Sequence, residues 1–177
     1  MRKVVVYIAV SLDGYIADRH QRIDWLGGQD ADYQGEYGYS DFIAGVDDVV
    51  MGYTTYRQVV DELAPNQWPY AGLTSHVLTH RQETTSDDQI KFVNSSVVDL
   101  VATLKSQPGK SIWICGGANV INQLVEQDLV DEYYLTIMPI LLGDGVRLFD
   151  RHEKALPLRL VSSSSENGVV TAIYQRR

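Results

Sequence analysis

Short apolar, β-branched runs that alternate with segments of helical period confine this chain to an α/β sheet. Eight runs read as strands: Val4–Val10, Asp48–Met51, His76–Thr79, Lys91–Val93, Ser111–Cys115, Glu132–Pro139, Leu158–Ser164 and Val169–Gln175. The first, second and fifth are apolar almost throughout, as strands covered on both faces must be. The last two meet at Asn167-Gly168, a pair that favours positive φ and so a type I′ hairpin. The expected architecture is α/β in three layers: a mixed, mostly parallel eight-stranded sheet flanked by helices and ending in an antiparallel hairpin. The length of 177 residues suits a single domain over 1–177.

The helices fall between these runs. Tyr56, Val59, Val60 and Leu63 share one helical face, and Pro65 stops the segment. Ser96 and Asp99 have capping-box spacing ahead of Val97–Leu104, and Val120, Ile121, Leu124 and Val125 mark a helix after Gly116-Gly117. Gln29–Ala44 is harder to read. Asp41–Ala44 is helical in pattern, but Gly35 and Gly38 each lower helix propensity by ~1 kcal/mol against alanine. Tyr33, Tyr37 and Tyr39 in this stretch suit either a pocket wall or packing on the sheet.

Charge and cysteine content remove several function classes. Acids outnumber bases by 23 to 15, which argues against a broad nucleic-acid or anionic-membrane surface. Cys115 is the only cysteine, so neither an internal disulfide nor a paired-thiolate metal site is available. Apolar runs fall short of the ~20 residues that span a bilayer. Val4–Val10 follows Met1-Arg2-Lys3 as a signal peptide would, but Ser11-Leu12-Asp13-Gly14 interrupts it, and it reads as a first strand. A cytoplasmic location is the expectation.

Familiar catalytic devices are missing: Gly-x-Ser-x-Gly, His-Glu-x-x-His and the phosphate-binding Walker loop do not occur. His20, His76, His80 and His152 are scattered, and Cys115 suits a small core position better than a nucleophile. No metal is expected. Two strand–glycine–helix elbows remain, at Val49–Tyr56 around Gly52 and at Ile112–Val120 around Gly116-Gly117. Each would aim free backbone N–H groups and a positive dipole end at one spot, and glycine lets a ligand approach the chain. Two such elbows suit a diphosphate held from both sides. Val10–Ala17, Asp24-Trp25-Leu26 and the carboxylates Asp30 and Asp32 could wall a flat ring that needs one proton.

At this point the sequence resembles the dihydrofolate reductase fold, most closely the reductase domain of bacterial riboflavin biosynthesis. The resemblance is carried, in order, by Ser11–Ala17, Asp24-Trp25-Leu26, Val50-Met51-Gly52-x-Thr54-Thr55-Tyr56, Ile114–Ala118 and Pro139–Gly145 with Leu148-Phe149. It implies a reductase that uses NADPH, with NADH open. Ala9 and Ile16 would lie near the nicotinamide. Gly52, Tyr53, Thr54 and Thr55 would meet the diphosphate from one side; Cys115, Gly116, Gly117, Ala118, Asn119 and Val120 from the other. Thr79, His80 and Arg81 would handle the adenosine end. Val10 and Trp25 would border the substrate, and Asp30 is the matching acid, with Asp32 and Glu36 open. The family often carries arginine where this chain has Tyr53, and Arg81 is the candidate to replace its charge at the 2′-phosphate.

The implied reaction is hydride transfer to a C=N or C=O carbon of a small heterocycle of pteridine, dihydrofolate or ribosylaminopyrimidine type. Asp30, or a water it orients, would supply the proton, while Asp13 would hold the Asp-Gly turn. The competing expectation is a non-catalytic nucleotide- or ligand-binding module that retains the fold. The resemblance and the apolar Tyr133–Leu142 segment both suggest a homodimer.

Overall fold

The computed structural model describes every residue but Glu83. Eight strands form one sheet: β1 (Val4–Ser11), β3 (Val46–Gly52), β4 (Thr74–Leu78), β5 (Ile90–Val93), β6 (Ser111–Gly116), β7 (Glu132–Met138), β9 (Leu158–Glu166) and β10 (Val169–Arg176). Their order across the sheet is β5-β4-β3-β6-β1-β7-β10-β9. All neighbours from β5 to β7 run parallel, and β10 is antiparallel to both β7 and β9. The eight expected runs are these eight strands, with ends shifted by a few residues. Asn167 and Gly168 have φ of 50° and 74°, as a type I′ turn requires.

Two short strands were not foreseen. β2 (Tyr15–Asp18) and β8 (Gly145–Arg147) pair antiparallel with each other alone. They tie the segment after β1 to the loop after β7. The Asp13 carboxylate strengthens this tie by accepting from Ser11 Oγ at 2.6 Å, Leu142 N at 3.1 Å and Gly143 N at 2.7 Å. The Ser11 hydroxyl and these backbone donors outweigh desolvation and hold its carboxyl at about 2. Asp13 is therefore a turn-holding residue.

Strand alternation gives the sheet two different faces. Val4, Val6, Val10, Ile112 and Ile114 pack with α3 (Val97–Lys105) and α4 (Ala118–Glu126). Ser96 Oγ accepts from Asp99 N at 3.0 Å and donates to the Asp99 carboxylate at 2.7 Å, so the expected cap forms and contributes ~1 kcal/mol. The opposite face is aromatic. Val5, Met51 and Trp113 lie under α1 (Tyr39–Ala44) with Tyr7, Tyr39, Phe42 and Tyr70 around them. Tyr7 stacks on Phe42 at 4.3 Å between ring centroids, and Trp113 meets Tyr70 edge-on at 5.2 Å.

The helix expected around Tyr56–Leu63 starts earlier, as α2 (Tyr53–Gln58), and passes directly into a π turn over Val59–Leu63. Below the sheet, at the amino ends of the parallel strands, Arg2 bonds Asp47 and Asp48, and His76 bonds Asp48 at 2.6 Å. Arg2, Asp48 and His76 are all buried. Of the apolar Tyr133–Leu142 segment that suggested a partner, the part in β7, to Met138, lies between β1 and β10, and that position accounts for its character.

Candidate functional site

The carboxyl ends of the parallel strands carry the site. Along that edge the order is β4, β3, β6, β1, β7 and then the start of β10. Five steps at ~4.8 Å give a span of roughly 24 Å, room for an extended dinucleotide and a ring beside it. Ligands of open α/β sheets bind outside these ends, where helices on either side part.

Both elbows open here. β3 enters α2 at Gly52, and β6 enters α4 at Gly117. Met51 and Gly116 are register partners, so the elbows are neighbours. A Cβ placed on Gly52 would stand 3.4 Å from Val120 Cγ2 and 3.9 Å from Gly117 N. One on Gly117 would stand 3.5 Å from Thr55 Oγ1. Gly116 has φ +136°, a conformation that favours glycine, and the peptide joining it to Gly117 is cis.

No side chain caps the start of α2 or α4, whereas Ser96 caps α3. The leading N–H groups of α2 and α4 have no intrahelical partner, and both helices start at one cleft. That cleft has a volume of about 1020 Å³. Converging backbone donors without a competing capping group fit a diphosphate.

Most of the expected cofactor residues come together around this cleft. Ile16, Gly52, Tyr53, Thr54 and Thr55 line it, as do Thr79 and His80 beyond β4 and Gly117, Ala118, Asn119 and Val120 opposite. Arg81 stands just outside the lining, with its guanidinium carbon 4.7 Å from the centroid of the Tyr53 ring, a cation–π distance. His80 Nδ1 is 2.7 Å from Asn94 Oδ1. Ile8 Cδ1 would lie 3.9 Å from a Cβ on Gly116, which links β1 to the second elbow.

Other expected residues lie elsewhere. The Cys115 side chain turns into the aromatic layer, with Sγ 3.7 Å from the Tyr70 hydroxyl. Burial pushes its thiol up to about 11, against a smaller lowering by Tyr70, which suits a core thiol and not a nucleophile. Val10 is 5% exposed and belongs to the layer with α3 and α4. Its neighbour Ala9 points to the aromatic face and is half-buried. Trp25 donates from Nε1 to Arg22 O at 3.1 Å and is partly exposed.

Asp30 is exposed and held by its backbone to the hairpin turn. Its N–H donates to Asn167 Oδ1 at 2.8 Å, and its carbonyl accepts from Asn167 Nδ2 at 3.1 Å. Asn167 Nδ2 also donates to the Tyr37 hydroxyl at 3.1 Å, and the Tyr33 hydroxyl donates to Glu166 at 2.8 Å. The three tyrosines therefore divide: Tyr39 packs on Tyr7 and Trp113, while Tyr33 and Tyr37 pin the segment onto the β9–β10 turn.

One further residue escaped the sequence reading. Thr136 pairs with Ala9 on one side and Thr171 on the other, so all three share the aromatic face. Thr136 is 3% exposed and lies off the cleft, and its hydroxyl meets the phenol of Tyr7, whose pKa burial raises and this contact lowers by less.

The chain matches the RibD C-terminal domain family over residues 2–171 and belongs to that family. It is 37% identical to the uncharacterized protein YwjB of Bacillus subtilis (strain 168), over 99% of this chain and 98% of the relative. It is similar to the crystal structure of a putative riboflavin biosynthesis protein from Shewanella sp. PV-4, with 31% identity, a TM-score of 0.84 and coverage of 99% of each chain. Dihydrofolate reductase from Enterococcus faecalis, complexed with NADP(H), shares the fold at a TM-score of 0.67 and 15% identity, over 99% of this chain and 96% of that one. The fold is thus dihydrofolate reductase-like. Among the described residues, no helix is long and apolar enough to cross a membrane.

Proposed function

We propose that this member of the RibD C-terminal domain family is a reductase that takes hydride from NADPH and delivers it to a C=N or C=O carbon of a small heterocycle. The observation that carries the reading is the pair of uncapped elbows, with a Gly52 Cβ position 3.9 Å from Gly117 N. Tyr53, Thr54 and Thr55 would hold one side of the diphosphate, and Gly117, Ala118, Asn119 and Val120 the other. Bound there, the dinucleotide would supply the hydride. The chain's own task would be orientation and exclusion of water, which requires neither nucleophile nor metal.

Ala9 and Ile16 would border the nicotinamide, because β1 lies next to β6 and β2 follows β1. Asp30, or a water it orients, would supply the proton from the pinned segment. Asp30→Asn would then lower turnover at least tenfold with NADPH affinity unchanged; unaltered turnover removes it from the reaction. Arg81, stacked on Tyr53, would meet the 2′-phosphate in place of the missing arginine.

The deciding experiment pairs two measurements on the intact protein. Titration with NADPH by nicotinamide fluorescence is expected to saturate at one site. Incubation of that complex with pteridines, dihydrofolate and ribosylaminopyrimidines is expected to consume absorbance at the reduced-nicotinamide band. Saturable binding with no consumption across the panel would favour a binding module; no binding would overturn the reading altogether. A homodimer belongs to the same proposal. β7 is internal, and the free sheet edge on its side is β9, where Leu160 and Val161 are more than half exposed. Light scattering of the protein and of Leu160→Lys tests it, with a monomer for both as the contrary result.

A further inference from the structure

We infer that His80, its ring fixed by Asn94, accepts a hydrogen bond from the 6-amino group of the cofactor's adenine and so selects the dinucleotide by its base edge. This inference rests on the reductase reading for the presence of a dinucleotide, and it concerns how the end of the cleft beyond β4 reads the base. Leu78 is the register partner of Val93, and Thr79 N donates to Val93 O at 3.0 Å, so the pairing of β4 with β5 continues past both strands. That extension brings His80 beside Asn94, which stands between the end of β5 and Ser96, the cap of α3. Thr79, His80, Ser95 and Ser96 all line the cleft.

Most polar atoms of this wall are already committed, which fixes what it offers a ligand. His80 Nδ1 lies 2.7 Å from Asn94 Oδ1. An amide oxygen only accepts, so Nδ1 carries the proton, and Nε2 of the neutral ring keeps a lone pair. Ser95 Oγ donates to Ser96 O at 3.2 Å. Ser96 Oγ donates to the Asp99 carboxylate at 2.7 Å and accepts from Asp99 N at 3.0 Å. Both serine protons are thus spent within the chain. Thr79 Oγ1 accepts from Arg81 N at 3.1 Å and retains its own proton. The wall offers a lone pair from His80 next to a hydroxyl donor from Thr79.

An adenine edge is the complement of that pair, because its 6-amino group donates and the neighbouring ring nitrogen accepts. Hypoxanthine carries an oxygen in place of the amino group and sets lone pair against lone pair at His80, which leaves the imidazole nitrogen unsatisfied. Position separates base from sugar. Gly52 and Tyr53 stand where β3 meets α2, and Arg81 covers the Tyr53 ring; in the reductase reading the ribose and its 2′-phosphate lie there. Asn94 follows β5, two strands from β3 and roughly 10 Å away at ~4.8 Å per strand. A base that extends from the ribose covers that distance, and a sugar hydroxyl falls short of it.

The test compares NADPH with its deamino analogue, which carries hypoxanthine, by fluorescence titration of the full chain at about pH 8, where free imidazole is neutral. The natural chain is expected to bind the deamino form about tenfold more weakly. His80→Leu is expected to bring NADPH down to the level of the analogue and erase the difference. Asn94→Ala, which frees the ring to turn, is expected to narrow the gap at least threefold, and Asn94→Asp, which keeps an acceptor in place, to retain it. Nitrogen NMR of the chain without cofactor reads the tautomer by itself, with the proton expected on Nδ1 of His80. Equal binding of the two dinucleotides by the natural chain, an unchanged gap in His80→Leu or Asn94→Ala, or a proton on Nε2 overturns the inference and leaves the reductase reading standing. Failure of both dinucleotides to bind overturns the reductase reading, and the inference falls with it.

Discussion

Gly52→Ala separates a binding role of the first elbow from a packing role. Gly52 has φ −76° and ψ 160°, extended backbone open to any residue, so alanine needs no strained conformation there. Its Cβ would meet Val120 Cγ2 at 3.4 Å, an ordinary contact, with Gly117 N at 3.9 Å. Stability should therefore stay level or rise by about 0.4–1 kcal/mol, because alanine restricts the unfolded chain. Binding should respond differently. The methyl lies between the two sets of backbone donors, and loss of one or two charge-assisted hydrogen bonds at ~1.5 kcal/mol each predicts a roughly 10- to 150-fold weaker grip on NADPH. Thermal unfolding and a fluorescence titration on the same preparation give both numbers. An unchanged melting temperature with unchanged NADPH affinity would refute the proposal that the diphosphate lies against Gly52.

Three further predictions follow from other parts of the molecule. Arg81→Ala should weaken NADPH by about 1.5–3 kcal/mol, the scale of a hydrogen bond to a charged group, and leave NADH within threefold; equal losses for both cofactors would remove Arg81 from the 2′-phosphate. Burial alone would raise the Asp48 carboxyl, but His76 and Arg2 outweigh it and hold it at about 2. Its contribution is therefore complete above its unfolded value near 3.9 and lost as pH falls through about 2, a loss of ~2 kcal/mol that urea unfolding should record and that Asp48→Asn should lack. A parallel pH slope in both proteins would contradict the assignment. The Cys115 thiol should resist a disulfide reagent at pH 8 and react at once in guanidinium, and rapid reaction of the folded chain would contradict its place in the aromatic layer.

The sheet was legible because each strand of its interior is apolar and β-branched over four to eight residues, and because Asn167-Gly168 admits few turns. β2 and β8 were not, since Tyr15–Asp18 and Gly145–Arg147 are short, half-exposed and paired only with each other. The segment before α1 resisted for a local reason: Tyr37 and Gly38 both have positive φ, so the helix cannot begin before Tyr39. The elbows could be read because strand, glycine and helix are contiguous in the chain. Long-range anchors could not: Glu166 and Asn167 matter through Tyr33 and Tyr37, about 130 residues earlier, and that relation leaves no local mark. Asp30 illustrates the same limit, because only the tertiary fold reveals that its backbone is fastened to the hairpin turn.

A structure of the protein crystallised with NADPH addresses the central claim most directly. The diphosphate is predicted between the Gly52 and Gly117 elbows, taking hydrogen bonds from the first N–H groups of α2 and α4, with the adenosine toward His80 and Arg81. A dinucleotide bound anywhere else on the chain, or the elbows left free at saturating cofactor, would contradict the account.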